Sequence, residues 1–177
     1  MSILVTYATA KGSTREIAER IASRLGAFVT PVDCLAVQEV RAASLANYSA
    51  VIVGSAIHVG SWLSPARRFI HSNRAVLRAK PVWAFSVGMP PQEEDFRNEE
   101  SRMDGKIRNV LPDLRGHRLF LGRFYKQDLN WFLRMIFTCC VPRTKVKWGD
   151  HRSWEEIEAW ADNVGKEITR IGTASTV

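Results

Sequence analysis

The sequence predicts an α/β protein built on a doubly wound, five-stranded parallel sheet, and three observations carry that expectation. Apolar runs of strand length recur along the chain: ILVTY at 3–7, AVIVGSA at 50–56, PVWAFSVG at 81–88 and HRLFLGRF at 117–124, with AFVTPVD at 27–33 as a weaker member. Runs that are apolar at successive positions suit strands covered on both faces, as in parallel sheets. Helical patterns separate these runs, and strict alternation of strand and helix implies parallel strands with crossover helices. Finally, no repeat or low-complexity linker interrupts the 177 residues. A single domain over 1–172 with a disordered tail at 173–177 is therefore expected.

The helices are justified in turn. Residues 14–25 place Ile17, Ile21 and Leu25 on one face beside Ala18 and Ala22. Residues 153–171 do the same with Ile157, Trp160, Ala161, Val164, Ile168 and Ile171. Such spacing is that of an amphipathic helix. Both open on Ser-x-x-Glu, Ser13 to Glu16 and Ser153 to Glu156, the signature of a capping box. Residues 65–78 start on Pro65 and read as one helix, and 92–111 carry Phe96, Met103, Ile107 and Val110 on a helical stripe.

One stretch breaks the pattern. From Tyr125 to Arg152 some 28 residues stand where a strand-to-helix connection needs a handful. Within this 125–150 insertion, KQDLNWFLRMIFTCCV reads as an amphipathic helix with a wide apolar face, followed by the basic RTKVKWGDHR. Between Arg123 and Arg152 seven bases face only Asp128 and Asp150, so +5 of the net charge of +7 lies there. A basic segment of this kind suits an anionic partner or a solvated face. The N-terminus shows no signal peptide and no apolar run reaches the ~20 residues of a membrane span. Cys34, Cys139 and Cys140 make neither a metal-spaced set nor a disulfide framework, which favours a reducing cytoplasm and no metal.

Ligands of a doubly wound sheet bind beyond the carboxyl ends of its strands. The loops there are 8–14, 55–62 and 86–91. The first lacks both G-x-x-x-x-G-K-[ST] and G-x-G-x-x-G, so neither a P-loop nor a dinucleotide fingerprint is present. It instead offers Thr9, Ala10, Lys11, Gly12, Ser13 and Thr14 between a strand and a helix N-terminus, where free N–H groups attract anions. Alone this fits a phosphate site and a helix capped by Ser13 equally well. The loops Ser55, Ala56, Ile57, His58, Val59, Gly60, Ser61, Trp62 and Ser86, Val87, Gly88 add a glycine-bearing rim that suits a phosphate joined to a flat heteroaromatic ring. Trp62 stacks on that ring or packs in the core; both stay open.

At these residues the chain resembles a known family. TYATAKGSTREIAERIA at 6–22 looks like the phosphate loop of flavodoxin-like proteins. Gly54-x-x-Ile57-x-x-Gly60, Phe85-Ser86-Val87, the 125–150 insertion and the closing helix with Trp154 resemble, more narrowly, the menaquinone-dependent protoporphyrinogen IX dehydrogenase group. The resemblance implies strand order 2-1-3-4-5 and FMN as cofactor. It implies oxidation of a porphyrinogen-like molecule with electrons passed to a quinone, as part of haem biosynthesis. It implies a role in substrate or membrane contact for Arg134, Arg143, Lys145 and Lys147 in the insertion, and a cytoplasmic protein able to sit on the inner face of the membrane. The chain departs from the group at His58 and Val59, where an Arg-Tyr pair is common, and in Gly88-Met89-Pro90-Pro91.

With flavin carrying the chemistry, no protein nucleophile is needed, and no triad is apparent. His58, in the ring loop, is the candidate for proton handling. The competing expectation is an FMN electron-transfer protein or NAD(P)H:quinone reductase docking an acidic redox partner. A flavin-free interaction domain is a third, but bases without interleaved aromatics speak against nucleic acid. A homo-oligomer stays open.

Overall fold

The computed structural model describes residues 2–89, 93–125 and 148–174. The amphipathic helix expected in the insertion, Pro90, Pro91, Arg134, Cys139, Cys140, Arg143, Lys145 and Lys147 lie outside the described residues.

Five parallel strands form the sheet: β1 (Ile3–Ala8), β2 (Val32–Ala36), β3 (Ala50–His58), β5 (Val82–Gly88) and β6 (Gly116–Leu121). They lie in the order β2-β1-β3-β5-β6, and a short β4 (Ser61–Trp62) folds back antiparallel on β3. Counting the parallel strands alone, this is the expected order 2-1-3-4-5. Helices α1 (Ser13–Leu25) and α6 (Trp154–Ala174) cover one face; α2 (Ala42–Leu45), α3 (Ser64–Ser72), α4 (Arg74–Arg78) and α5 (Glu93–Arg108) are the other helices among the described residues. A separate ribbon pairs β7 (Arg123–Phe124) with β8 (Gly149–Asp150).

The continuous apolar runs are explained by the two cores they serve. Ile3, Val5 and Tyr7 of β1 pack with Ile17, Ile21, Ile157 and Val164, while Leu4 and Ala8 pack with Val51, Val53, Met103 and Ile107. Successive side chains thus enter opposite apolar layers. Gly54 marks the tightest point: an ideal Cβ there would lie 2.0 Å from Phe85 Cζ, on the paired residue of β5.

Four boundaries differ from expectation. The weak strand at 27–33 is displaced to Val32–Ala36. The amides of Ala27, Phe28 and Val29 bond carbonyls of the last turn of α1, and Phe28 sits against Gly165 of α6. The single helix expected at 65–78 is two, divided at Asn73 (φ −105°). The run 117–124 is cut at Gly122, so Arg123 and Phe124 join the ribbon. The last helix continues to Ala174, into the expected tail.

Of the two capping boxes, the one at Ser153 forms its serine half, with the Glu156 amide donating to Ser153 Oγ at 3.3 Å. The one at Ser13 does not. Gly12 is the residue before the helix, and no side chain caps it.

Two glycines separate packing from propensity. Gly54→Ala drives a methyl into the Phe85 ring and should lower stability by about 2–3 kcal/mol. Gly105→Ala, within α5 and with open space around it, should raise it by about 1 kcal/mol. Urea unfolding of the two variants measures both.

Candidate cofactor site

At the carboxyl end of β1 the chain makes a closed turn into α1. The Gly12 amide donates to Thr9 Oγ1 at 3.0 Å, and Gly12 takes φ +88°, a conformation glycine adopts without strain. The first intrahelical bond runs from the Glu16 amide to the Gly12 carbonyl at 3.1 Å. The amides of Ser13, Thr14 and Arg15 therefore precede the helical ladder, and no side chain caps them. Thr14 is 1% exposed and its hydroxyl has no partner among the described residues. An uncapped helix start beside an orphaned buried hydroxyl is what a phosphate would complete.

The side chains that normally cap are engaged elsewhere. Ser13 Oγ accepts the Arg123 amide at 3.3 Å. The Glu16 carboxylate binds Arg123 Nη1 through one oxygen and Arg152 Nη1 through the other, both at 2.6 Å. Arg123 Nη2 also donates to the Lys11 carbonyl at 3.1 Å. Arg152 is fixed in turn by Asp150, which holds the Asp150 carboxyl below the usual carboxylate range. Its guanidinium lies 4.6 Å from the centre of the Trp154 ring. Glu16 would otherwise put a bare negative charge in the first turn of a phosphate-binding helix. Two guanidiniums cancel it.

The other loops meet this one through Gly122. Its amide donates to the Gly88 carbonyl at 3.1 Å, and a Cβ there would lie 3.0 Å from Val87 Cγ1 and 3.3 Å from Ser13 Oγ. The His151 amide returns to the Gly122 carbonyl at 3.2 Å.

The expected ring loop at 55–62 is not a loop. β3 runs on to His58 and turns through Val59 and Gly60 into β4, with Ile57 opposite Trp62. Both turn residues have positive φ, +50° and +65°, as in type I′ hairpins, where Asn-Gly is the usual pair. Val59 is 91% exposed. Lys106 Nζ holds the Gly60 carbonyl at 2.7 Å, and Arg102 lies against the same turn.

The candidate residues thus divide. Ala10, Lys11, His58 and Val59 are exposed at the rim, with Thr9, Gly12, Ala56, Ile57, Gly60 and Gly88 half-buried beside them. Ser55, Ser86, Val87 and Trp62 are buried. Trp62 is 3% exposed and belongs to the core, so the packing alternative holds for it and ring stacking does not. Its indole N–H donates to Ser86 Oγ at 2.8 Å, and Ser86 meets His117 Nε2 at 2.8 Å. Ser86 Oγ thus accepts from Trp62 and shares its second bond with His117 Nε2, whose donor and acceptor roles follow the His117 tautomer; Nδ1 is buried with no partner among the described residues. Ser55 Oγ accepts the Leu63 amide at 3.1 Å and secures the end of the hairpin. Sequence reasoning missed Glu16, Gly122, Arg123 and Arg152 as parts of the site. The only signal was the concentration of bases after 122.

With this geometry the comparisons with known proteins can be read. A flavodoxin domain family model matches residues 4–147. The chain belongs to the flavodoxin domain family. It is 27% identical over 187 aligned positions to protoporphyrinogen IX dehydrogenase [quinone] of Escherichia coli K12, covering 100% of this chain and 99% of that protein. Among solved structures it is similar to an archaeal flavodoxin (TM-score 0.58, 16% identity, 95% of this chain and 99% of that one). It is also similar to oxidised flavodoxin 2 of Bacillus cereus (TM-score 0.60, 18% identity, 96% and 99%). Family membership makes FMN the cofactor, and the uncapped α1, Gly12 and the unpartnered Thr14 hydroxyl fit its phosphate. Among the described residues no cluster suits a metal ion and no helix is long and apolar enough to cross a membrane.

The hairpin and the buried histidine each yield a test. A β-branched residue at φ +50° is strained, so Val59→Asn should stabilise the flavin-free protein by about 1 kcal/mol. An unchanged or lower urea midpoint would show that the turn carries no strain. Burial pushes the His117 imidazole down to about 4 from the ordinary 6.5. Below pH 6.5 the unfolded chain therefore binds a proton that the folded chain refuses. The stability present above that pH is lost progressively down to about pH 4, by about 3 kcal/mol. In His117→Gln the slope of unfolding free energy against pH over this window should fall by one proton.

Proposed function

We propose that the chain is an FMN-dependent oxidoreductase that takes electrons from a porphyrinogen-type reduced tetrapyrrole and passes them to a quinone. The observation that carries this reading is the full-length match to protoporphyrinogen IX dehydrogenase [quinone], which leaves almost no part of either chain unaligned. The charge supports it: a net +7 suits a substrate bearing carboxylates.

When bound, FMN supplies a ring that accepts a hydride equivalent and returns the electrons to a second acceptor. The chain's own residues bind and orient. The first turn of α1, with Thr14 and the amides of 13–15, anchors the phosphate end. The hairpin at 58–61 borders the ring end, where Val59 offers an apolar contact and His58 an exposed imidazole that takes up or releases a proton. Arg134, Arg143, Lys145 and Lys147 meet the substrate's carboxylates or a membrane surface in this reading. The protein works in the cytoplasm, in haem biosynthesis with menaquinone as acceptor.

The test is porphyrin formation by FMN-loaded protein supplied with protoporphyrinogen IX and a menaquinone analogue. Turnover should require both flavin and quinone, and His58→Ala should lower kcat by about 100-fold with FMN affinity unchanged. Porphyrin formation no faster than the protein-free blank, together with NAD(P)H-driven quinone reduction, would replace this reading with that of a quinone reductase.

A further inference from the structure

The arginines of this protein fall into two populations. On α1, α5 and the C-terminal segment most are matched with carboxylates, as in Arg15–Glu19, Arg24–Asp162, Arg108–Asp104 and Arg152–Asp150, while Arg97 and Arg170 stand there singly among the described residues. On α3 and α4 they are not. Arg67, Arg68, Arg74 and Arg78 are all exposed, and none lies within 4 Å of a carboxylate among the described residues. The sequence gives the reason: from Val40 to Gln92 there are six bases, Arg41, Arg67, Arg68, Arg74, Arg78 and Lys80, and no Asp or Glu. Lys80 is used internally, donating to the Ala46 and Tyr48 carbonyls.

Three of these four arginines are also aligned, with Arg68 beside them. Helical hydrogen bonding continues through the break at Asn73, whose amide donates to the Phe69 carbonyl and whose carbonyl accepts the Leu77 amide. Arg67, His71, Arg74 and Arg78 then follow one another at intervals of four, three and four residues, along one flank. Ala66, Phe69, Ile70 and Leu77 are buried in the core on the inner side. The row spans about 16 Å.

We infer that this α3–α4 row docks the protein on an anionic lipid surface. Its charge requires an anionic occupant. Its lack of exposed large apolar side chains, Val59 being the one such residue among those described, does not suit the apolar centre of a protein interface. Its lack of aromatics gives no stacking platform for single-stranded nucleic acid. A diffuse layer of lipid phosphates asks for neither. This inference rests on the proposed quinone acceptor, which dissolves in bilayers. α3 begins two residues after the β3–β4 hairpin, so a protein held by this row keeps the ring end of the site near the surface.

The experiment is sedimentation of the full-length, FMN-loaded protein with vesicles of equimolar phosphatidylglycerol and phosphatidylcholine, beside vesicles of phosphatidylcholine alone. Binding should occur with the anionic vesicles only and weaken as salt rises. Each of Arg67→Gln, Arg68→Gln, Arg74→Gln and Arg78→Gln should weaken it about five-fold, and the four together at least about 100-fold. Arg115→Gln with Arg170→Gln, away from the row, should not. Circular dichroism confirms folding of the quadruple variant, and Arg74→Glu and Arg78→Glu carry the test if that fold is lost. Vesicle binding unmoved by these changes, as when residues of the 125–150 insertion supply it, would overturn the inference. So would tighter binding to duplex DNA or to a small acidic iron–sulfur protein at the same salt. Turnover with a water-soluble quinone in vesicle-free buffer separates the two readings. Turnover without vesicle binding overturns the docking row alone, and arginine-dependent vesicle binding without turnover overturns the proposed function alone.

Discussion

The site depends on keeping the first turn of α1 from satisfying itself. A helix start with Ser13 and Glu16 at capping-box spacing has the means to consume its own free amides. Here both side chains are drawn away by a segment more than a hundred residues downstream. Ser13 Oγ receives the Arg123 amide, and Glu16 is shared between Arg123 and Arg152. The amides of residues 13–15 and the Thr14 hydroxyl are left without partners among the described residues, at a turn that Gly12 and Thr9 hold closed. The charge balance follows from the same contacts: Glu16 is outnumbered by two guanidiniums, and Asp150 restores neutrality. An incoming phosphate therefore meets helix amides and dipole rather than a carboxylate.

One consequence is that the root of the insertion and the phosphate loop form a single mechanical unit. β7 and β8 bring the two ends of the insertion together, and the rings of Phe124 and Trp148 stack beside the ribbon at 4.8 Å. From there Gly122 reaches the end of β5, Arg123 reaches α1, and Arg152 leads through Trp154 into α6. Trp154 also lies beneath Arg20, and the Arg20–Glu158 and Arg24–Asp162 pairs continue the α1–α6 contact outward. These outer pairs are largely solvated and add little stability each. Arg152, at 6% side-chain exposure, belongs to a different regime, in which an unpaired charge is costly.

The sheet was legible in the sequence because its cause is local. Strands buried on both faces must be apolar at successive positions, and β1, β3, β5 and β6 declare themselves within a few residues. β2, at the sheet edge and half-exposed, carries a weaker pattern, and its start was obscured by the turn that α1 draws from residues 27–29. The Glu16 bridge was illegible because its partners lie 107 and 136 residues away. Nothing in Ser-x-x-Glu distinguishes a cap from a side chain recruited elsewhere. Trp62 failed differently. A tryptophan beside a glycine at a strand end reads as a ring clamp, but the strand continued past Ser55, and the hairpin turned Trp62 inward onto Ser86.

The two ends of the site are consequently built by opposite means. The phosphate end is held by buried or half-buried groups in a network that spans α1, the ribbon and α6. The hairpin that the proposed function sets at the ring end is a two-residue turn at positive φ, tied down chiefly by Lys106 and Arg102 reaching from α5 to Gly60. The phosphate end serves only to hold the cofactor, so the groups that form it can be locked into the core. Choice of reaction partner has to be made where the ring meets solvent. There the chain places His58 and an exposed, conformationally strained Val59, the same two positions at which it departs from the Arg-Tyr pair of the dehydrogenase group it resembles. The hairpin, rather than the phosphate loop, is therefore where the proposed function puts this protein's choice of reaction partner.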